Sequence, residues 1–321
     1  MKNKRGFTLV ELMVVVAIIA LLMGLLLPAL SSAMATARAK KDSTNLRGLG
    51  QGMAAYAGDY NGSWCIPGEL WRAPVQVAGQ GNVCMIGRGD AQPSLNHTGA
   101  LASAMVAQSY HSPEIHVSPC EVNPDIGVKG DIPENGNIVA YDHSRWDPSN
   151  CSYWDTGFRA DLRNLNDKKS HTSYASQALM GDRLISWNDT AKSSNVVYCL
   201  RGTEGGVMKD VEDGSGEFTR SPVLDFMGPS GAYHANILWG DISVENIQNF
   251  FPANSIYEER TTGYTNGLKK DNIFAAEFLG APDANGTPNN LLSGDNYLTY
   301  SYVAGDPNFP FFLLTHDELY D

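Results

Sequence analysis

Three groups of residues have types and spacings suited to chemistry. His111, Glu114 and His116 stand close together, with Cys120 shortly after, and all are metal-ligand types. Pro113 breaks any helix that would align them, so they read as ordinary loop residues. The run from Asp210 through Asp213 and Ser215 to Glu217 is the calcium candidate, because a hard cation takes several oxygens from a Gly-rich loop. Its spacing is not that of an EF-hand, a solvated acidic loop explains the same residues, and no metal or other cofactor is assigned. Trp146, Tyr153 and Trp154 lie in an Asp-rich stretch, where aromatic rings either stack on a sugar or pack a core.

Enzyme motifs are missing. There is no Gly-x-Ser-x-Gly elbow, no His-Glu-x-x-His pair and no phosphate-binding glycine loop. The formal net charge of −12 argues against nucleic acid as the main partner. Five cysteines form no Cys-x-x-Cys pair. Cys65 and Cys84 are the nearest two and the first candidates for a bridge, although spacing alone cannot fix connectivity. An odd number leaves at least one thiol free or paired between subunits.

The most informative charge is Glu11. It interrupts the apolar run Phe7 to Leu27, which follows Lys2, Lys4 and Arg5. About 21 helical residues span ~30 Å, the thickness of a bilayer core. The basic flank predicts a cytoplasmic N-terminus and an exported body. A secretory signal cut after Ala35 fits poorly, since its apolar region is typically ~7–15 residues long. A plain anchor leaves Glu11 unexplained, because a charge at the centre of a membrane helix costs about 2.5–3.5 kcal/mol.

The segment Arg5-Gly6-Phe7-Thr8-Leu9-Val10-Glu11 resembles the leader site of type IV pilins and type II secretion pseudopilins. The resemblance implies cleavage between Gly6 and Phe7 by prepilin peptidase, N-methylation of Phe7, and pairing of Glu11 with the N-terminal amine of a neighbouring subunit. Pro28 falls where many pilins carry a proline, and marks a kink or local melting. Residues 1–6 are then a leader, 7–60 a transmembrane and assembly helix, and 61–321 an extracytoplasmic body. The implied partners are the peptidase, other subunits and the inner membrane, and the destination is a periplasmic or surface filament.

Beyond Pro28 the helix continues. Leu46, Leu49, Met53, Tyr56 and Tyr60 recur at spacings of three and four, an apolar stripe that faces a body. Gly48, Gly50 and Gly52 weaken the helix there. Asp59-Tyr60-Asn61-Gly62 is a stop signal. Arg38, Lys40, Lys41 and Arg47 form a basic neck that suits either lipid headgroups or a neighbour's acidic body.

The body reads as α+β and pilin-like: a long N-terminal helix on an antiparallel sheet, with long loops and room for an inserted subdomain. Strands are expected at Thr172 to Ala175, Ala178 to Met180 and Tyr297 to Val303, and Phe309 to Leu314 reads as a buried strand or lid. A hairpin is expected from Ala235 to Trp239 and Ile242 to Val244, around a two-residue Gly240-Asp241 type II′ turn. Tyr56 to Pro67, Val117 to Cys120, and His234 to Val244 resemble prepilin-type proteins that end in a His-x9-Asp-Gly domain. The match is degenerate, resting on His234, Asn236, Gly240 and Asp241, and no chemistry follows from it. A body of ~260 residues favours a minor or specialised subunit. The alternative is a membrane-tethered or filament-displayed binding module for polysaccharide or a secreted protein.

Overall fold

The computed structural model describes residues 9–134, 136–160, 169–179, 181–203, 222–227, 233–261, 264–274, 296 and 298–300. Helix α1 runs from Leu9 to Asp59 and is followed by two short helices, α2 (Pro67–Leu70) and α3 (Thr98–Ala107). Among the described residues eleven strands come after α1. They are β1 (Val75–Val77), β2 (Gly81–Val83), β3 (Pro133–Glu134), β4 (Asn137–Ile138), β5 (Tyr174–Gln177), β6 (Val196–Leu200), β7 (Ala235–Trp239), β8 (Val244–Ile247), β9 (Ile256–Thr261), β10 (Tyr264–Lys270) and β11 (Leu298–Thr299).

Five of them make an antiparallel sheet in the order β11-β5-β6-β7-β8. The pairs β1–β2, β3–β4 and β9–β10 are separate ribbons. This is the expected arrangement of a long helix and antiparallel strands. Of the strand expected at 172–175, Tyr174 and Ala175 lie in β5, which runs on to Gln177 and pairs with β6 through Tyr174 opposite Leu200; Ala178 and Leu179, expected in a second strand, lie outside any strand. Met180, Tyr297, Val303 and the run from Phe309 to Leu314 lie outside the described residues.

Alternation along the strands defines two faces. Tyr174 and Ser176 of β5, Tyr198 of β6, and Asn236 and Leu238 of β7 share one face through their register. Helix α1 packs there over β7 and β8, while Thr98 of α3 bonds Ser176 at 2.9 Å. On the other face Cys199 meets the Tyr233 hydroxyl at 3.1 Å, and Tyr233 stacks on Phe250 with centroids 4.4 Å apart. With both faces covered, β5, β6 and β7 are buried along their whole length. Helix α3 is buried at every residue, as a helix apolar all round should be. One hydrophobic core joins α1, α3 and the sheet.

Two local expectations change, and one open alternative is decided. The β7–β8 turn has three residues, not two. Ile242 N–H donates to Trp239 O and Trp239 N–H to Ser243 O, both at 2.9 Å, and Ile242 adopts φ 66°. Asp241 accepts from Ser243 N–H at 2.9 Å, which fixes this turn. Gly240 lies so close to Ala191 that a Cβ there would stand 2.7 Å from the alanine methyl. The disulfide also differs: Cys84 joins Cys151, with Cα atoms 5.3 Å apart. Cys65 is a free thiol buried in the core, where its carbonyl accepts from Trp187 Nε1. Finally, Tyr153 and Trp154 are buried against Trp71, with Trp71–Trp154 centroids 4.8 Å apart. They pack a core and are not exposed sugar platforms.

Candidate assembly site: the N-terminal helix and its seat

Helix α1 divides at Asp42. Before it, Leu9, Val10, Leu12, Leu21, Leu25 and their apolar neighbours stand exposed. From it onward, Asp42, Leu46, Leu49, Met53 and Tyr56 are buried. The apolar stripe is therefore the seated face, and the stop comes where Asn61 and Gly62 turn to φ 54° and 82°. The exposed half is long and apolar enough to cross a membrane. Of the kink or local melting expected at Pro28, the melting does not occur, since helical structure continues through it. Glu11 lies in the first turn of the described helix. Gly6 and Phe7 lie outside the described residues, as do Asp210, Asp213, Ser215 and Glu217.

Three sets of contacts hold the seated half, and the first is made by Asp42. This carboxylate accepts from Ser118 Oγ at 2.5 Å, Tyr174 OH at 2.6 Å and Asn236 Nδ2 at 2.8 Å. Asn236 Nδ2 also donates to the helix carbonyl of Ala39 at 2.9 Å. Burial pushes the Asp42 carboxyl above its usual range; the three donors pull it back, and Glu121 adds to the rise. Ser118 Oγ accepts from Cys120 N–H, so its own proton is free for Asp42. Asn246 Nδ2 then bonds Asn236 Oδ1 at 3.1 Å, and Asn246 Oδ1 receives His234 Nε2 at 2.5 Å. The polar line from His234 to Asp42 thus points every donor toward the carboxylate.

A buried ion pair carries this arrangement across to the sheet. Glu121 takes both guanidinium nitrogens of Arg201, just beyond β6, with both side chains at most 5% exposed. The Arg201 guanidinium also lies 4.9 Å over the Phe226 ring. Ser118 and Glu121 together cross-link helix and sheet.

The second and third contacts use glycines. A Cβ on Gly50 would stand 2.7 Å from Ile242 Cγ2, and one on Gly52 would stand 2.3 Å from His111 Cδ2. The glycines expected to weaken the helix instead admit the β7–β8 turn and the His111 loop. His111 Nε2 bonds Leu49 O at 3.0 Å, and its Nδ1 meets His116 Nε2 at 3.2 Å. A neutral ring has one donor, so His111 donates to the carbonyl and accepts from His116. Burial lowers His111 to about 4 and puts His116 well below its usual value. No group of three metal-ligand side chains gathers among the described residues.

His234, Asn236, Gly240 and Asp241 therefore lie on one hairpin, and only Asn236 reaches α1 directly. Sequence reasoning missed Asp42, yet its signal is visible: it precedes Leu46 by four positions, in phase with the apolar stripe.

No curated protein and no solved structure matches the chain. The prokaryotic N-terminal methylation motif matches residues 1–27. The chain thus carries a prepilin-type N-terminal methylation motif at the head of a long apolar helix that continues into an α+β body.

Proposed function

We propose that this protein is a prepilin-like subunit, cut between Gly6 and Phe7 by prepilin peptidase and N-methylated on Phe7. The observation that carries the reading is the methylation motif leading into a helix whose first half is apolar and exposed on every side. Exposed apolar surface of that extent needs lipid or other helices around it. The helix anchors the subunit in the inner membrane, with the N-terminus cytoplasmic and the body outside. It then packs against neighbouring helices in a type IV pilus or a type II secretion pseudopilus-like filament. Glu11 pairs with the Phe7 amine of the next subunit and sets the axial register, since a carboxylate among apolar helices is stabilised by an opposite charge. The Cys84–Cys151 bridge supports an oxidising location for the body.

The size of the body supports a minor or specialised role. Imaging sheared filaments separates the cases: label along the whole fibre means a major subunit, and label at the tip a minor one. A Glu11→Leu variant tests the assembly step. It should be processed and inserted normally yet fail to enter filaments; normal incorporation would remove the role given to Glu11.

A further inference from the structure

Between Glu11 and Arg38 the chain has 26 residues and no charge. The helical interval from Glu11 to Arg38 is about 40 Å at 1.5 Å per residue. That is close to the ~40–45 Å of a bilayer with its headgroups. Asp42, the first buried residue of α1, follows Arg38 by a single turn. The helix therefore leaves the bilayer at Arg38 and enters the body about 6 Å later. Asn236 fixes this exit point by holding both Ala39 O and Asp42.

Arg38, Lys40 and Lys41 fill that turn, and all three are exposed. Successive helical residues are about 100° apart, so the three point in different directions round the axis. Their Cβ bonds lean toward the helix N-terminus, which is the membrane side. None forms an ion pair among the described residues. Asp42, the nearest carboxylate in the chain, is turned inward and committed to Ser118, Tyr174 and Asn236. In a chain with net charge −12, this turn is a local reversal of sign.

We propose that Arg38, Lys40 and Lys41 form a cationic collar that binds anionic lipid headgroups on the body side of the membrane. The collar docks the body of the unassembled subunit on the bilayer. This rests on the reading of α1 as a membrane-spanning helix. A lipid partner is favoured over a neighbour's acidic body because the collar sits at headgroup level, between the uncharged span and the seat. Polybasic segments near a membrane surface gain about fivefold in binding per cation. Docking of this strength is reversible, which suits a subunit that must later be extracted.

The test uses the full chain, one copy per nanodisc, in phosphatidylcholine alone or mixed with phosphatidylglycerol. Energy transfer from the body's tryptophans to dansyl-labelled headgroups reports docking. Transfer should be higher in the anionic discs and fall as salt is raised. Each single change among Arg38→Gln, Lys40→Gln and Lys41→Gln should lower the docked-to-undocked ratio about fivefold. The triple variant should lose the lipid dependence while resisting carbonate extraction from membranes. Inorganic phosphate at matched ionic strength should not compete; if it does, the collar is a free-anion site and the lipid proposal is wrong. Equal transfer in both lipids, or a triple variant identical to the parent, overturns it. A defect seen only in filaments would assign the collar to a second copy, and also overturns it. If the parent chain is itself extracted by carbonate, the spanning reading fails as well, which distinguishes the two failures.

Discussion

Asn236 on β7 donates to Asp42 on α1 at 2.8 Å, and the same amide holds the Ala39 carbonyl at 2.9 Å. One side chain thus ties the sheet to the helix where the exposed apolar half ends. The seat gives any load on the free helix a direct path into the body.

Removing either partner should be costly. Asp42→Ala strands three buried donors, and the expected loss is about 3–5 kcal/mol, since each buried polar group left unsatisfied costs about 1–3 kcal/mol. Asn236→Ala leaves the carboxylate with two donors and should cost about 2–3 kcal/mol. Denaturant unfolding of the full chain in detergent measures both. A double variant whose loss equals the sum of the singles would show that the two side chains do not interact.

Gly50 and Ile242 form a second coupled pair. In an exposed helix Gly→Ala would gain up to about 1 kcal/mol. Here the new methyl meets Ile242 Cγ2 at 2.7 Å, so Gly50→Ala should destabilise by about 1–3 kcal/mol. Ile242→Gly relieves a β-branched residue at φ 66° and vacates the same space. The double variant should therefore be more stable than Gly50→Ala alone. A Gly50→Ala protein that melts higher than the parent would contradict the close approach.

Stability should fall in mild acid. Burial depresses His111 to about 4, His116 well below 6.5, and His171 to about 3, with Lys129 and Arg159 contributing at His171. These rings stay neutral when folded and gain protons when unfolded below pH ~6.5, so the stability they contribute above that pH is lost as pH falls. Each gives a slope of up to about 1.4 kcal/mol per pH unit. Asp42 works in the opposite direction: its raised value makes folding more favourable as pH falls. Three histidines outweigh one carboxyl, so unfolding at pH 5 should need less denaturant than at pH 7. Equal midpoints would mean that the rings are not held neutral.

Thiol chemistry gives an independent check on the core. Cys65, Cys120 and Cys199 are buried, and burial pushes each thiol up to about 12. Native protein should resist alkylation. Unfolding without reductant should expose three thiols, and with reductant five. Cys84 and Cys151 close a separation of 67 residues, and losing the bridge should cost about 4 kcal/mol in the loop-closure account. A fourth thiol in the unreduced protein would break the assigned pairing.

What the sequence revealed followed its periodicities. The stripe from Leu46 to Tyr56 and the stop at Asn61-Gly62 are short-range patterns, and both are where they were expected. The β7–β8 hairpin was legible from its two apolar runs, but the turn was misread by one residue. Gly-Asp suggests the shorter loop, whereas Ile242, packed close to Gly50, takes the positive φ of a three-residue turn. The Cys84–Cys151 bridge and the Asp42 network join segments 67 to 194 positions apart. No local spacing encodes such meetings. Asp42 is masked by its neighbours, since the four cations Arg38, Lys40, Lys41 and Arg47 in the same stretch have the composition of an exposed surface. His234 and Asn236 were visible as a pair, yet their role as links in a hydrogen-bonded line needed Asn246 from the adjacent strand.

Mass spectrometry of the protein from the cell envelope reads the processed N-terminus. The N-terminal peptide should begin at N-methylated Phe7. An N-terminus at Met1, or a cut near Ala35, would contradict it.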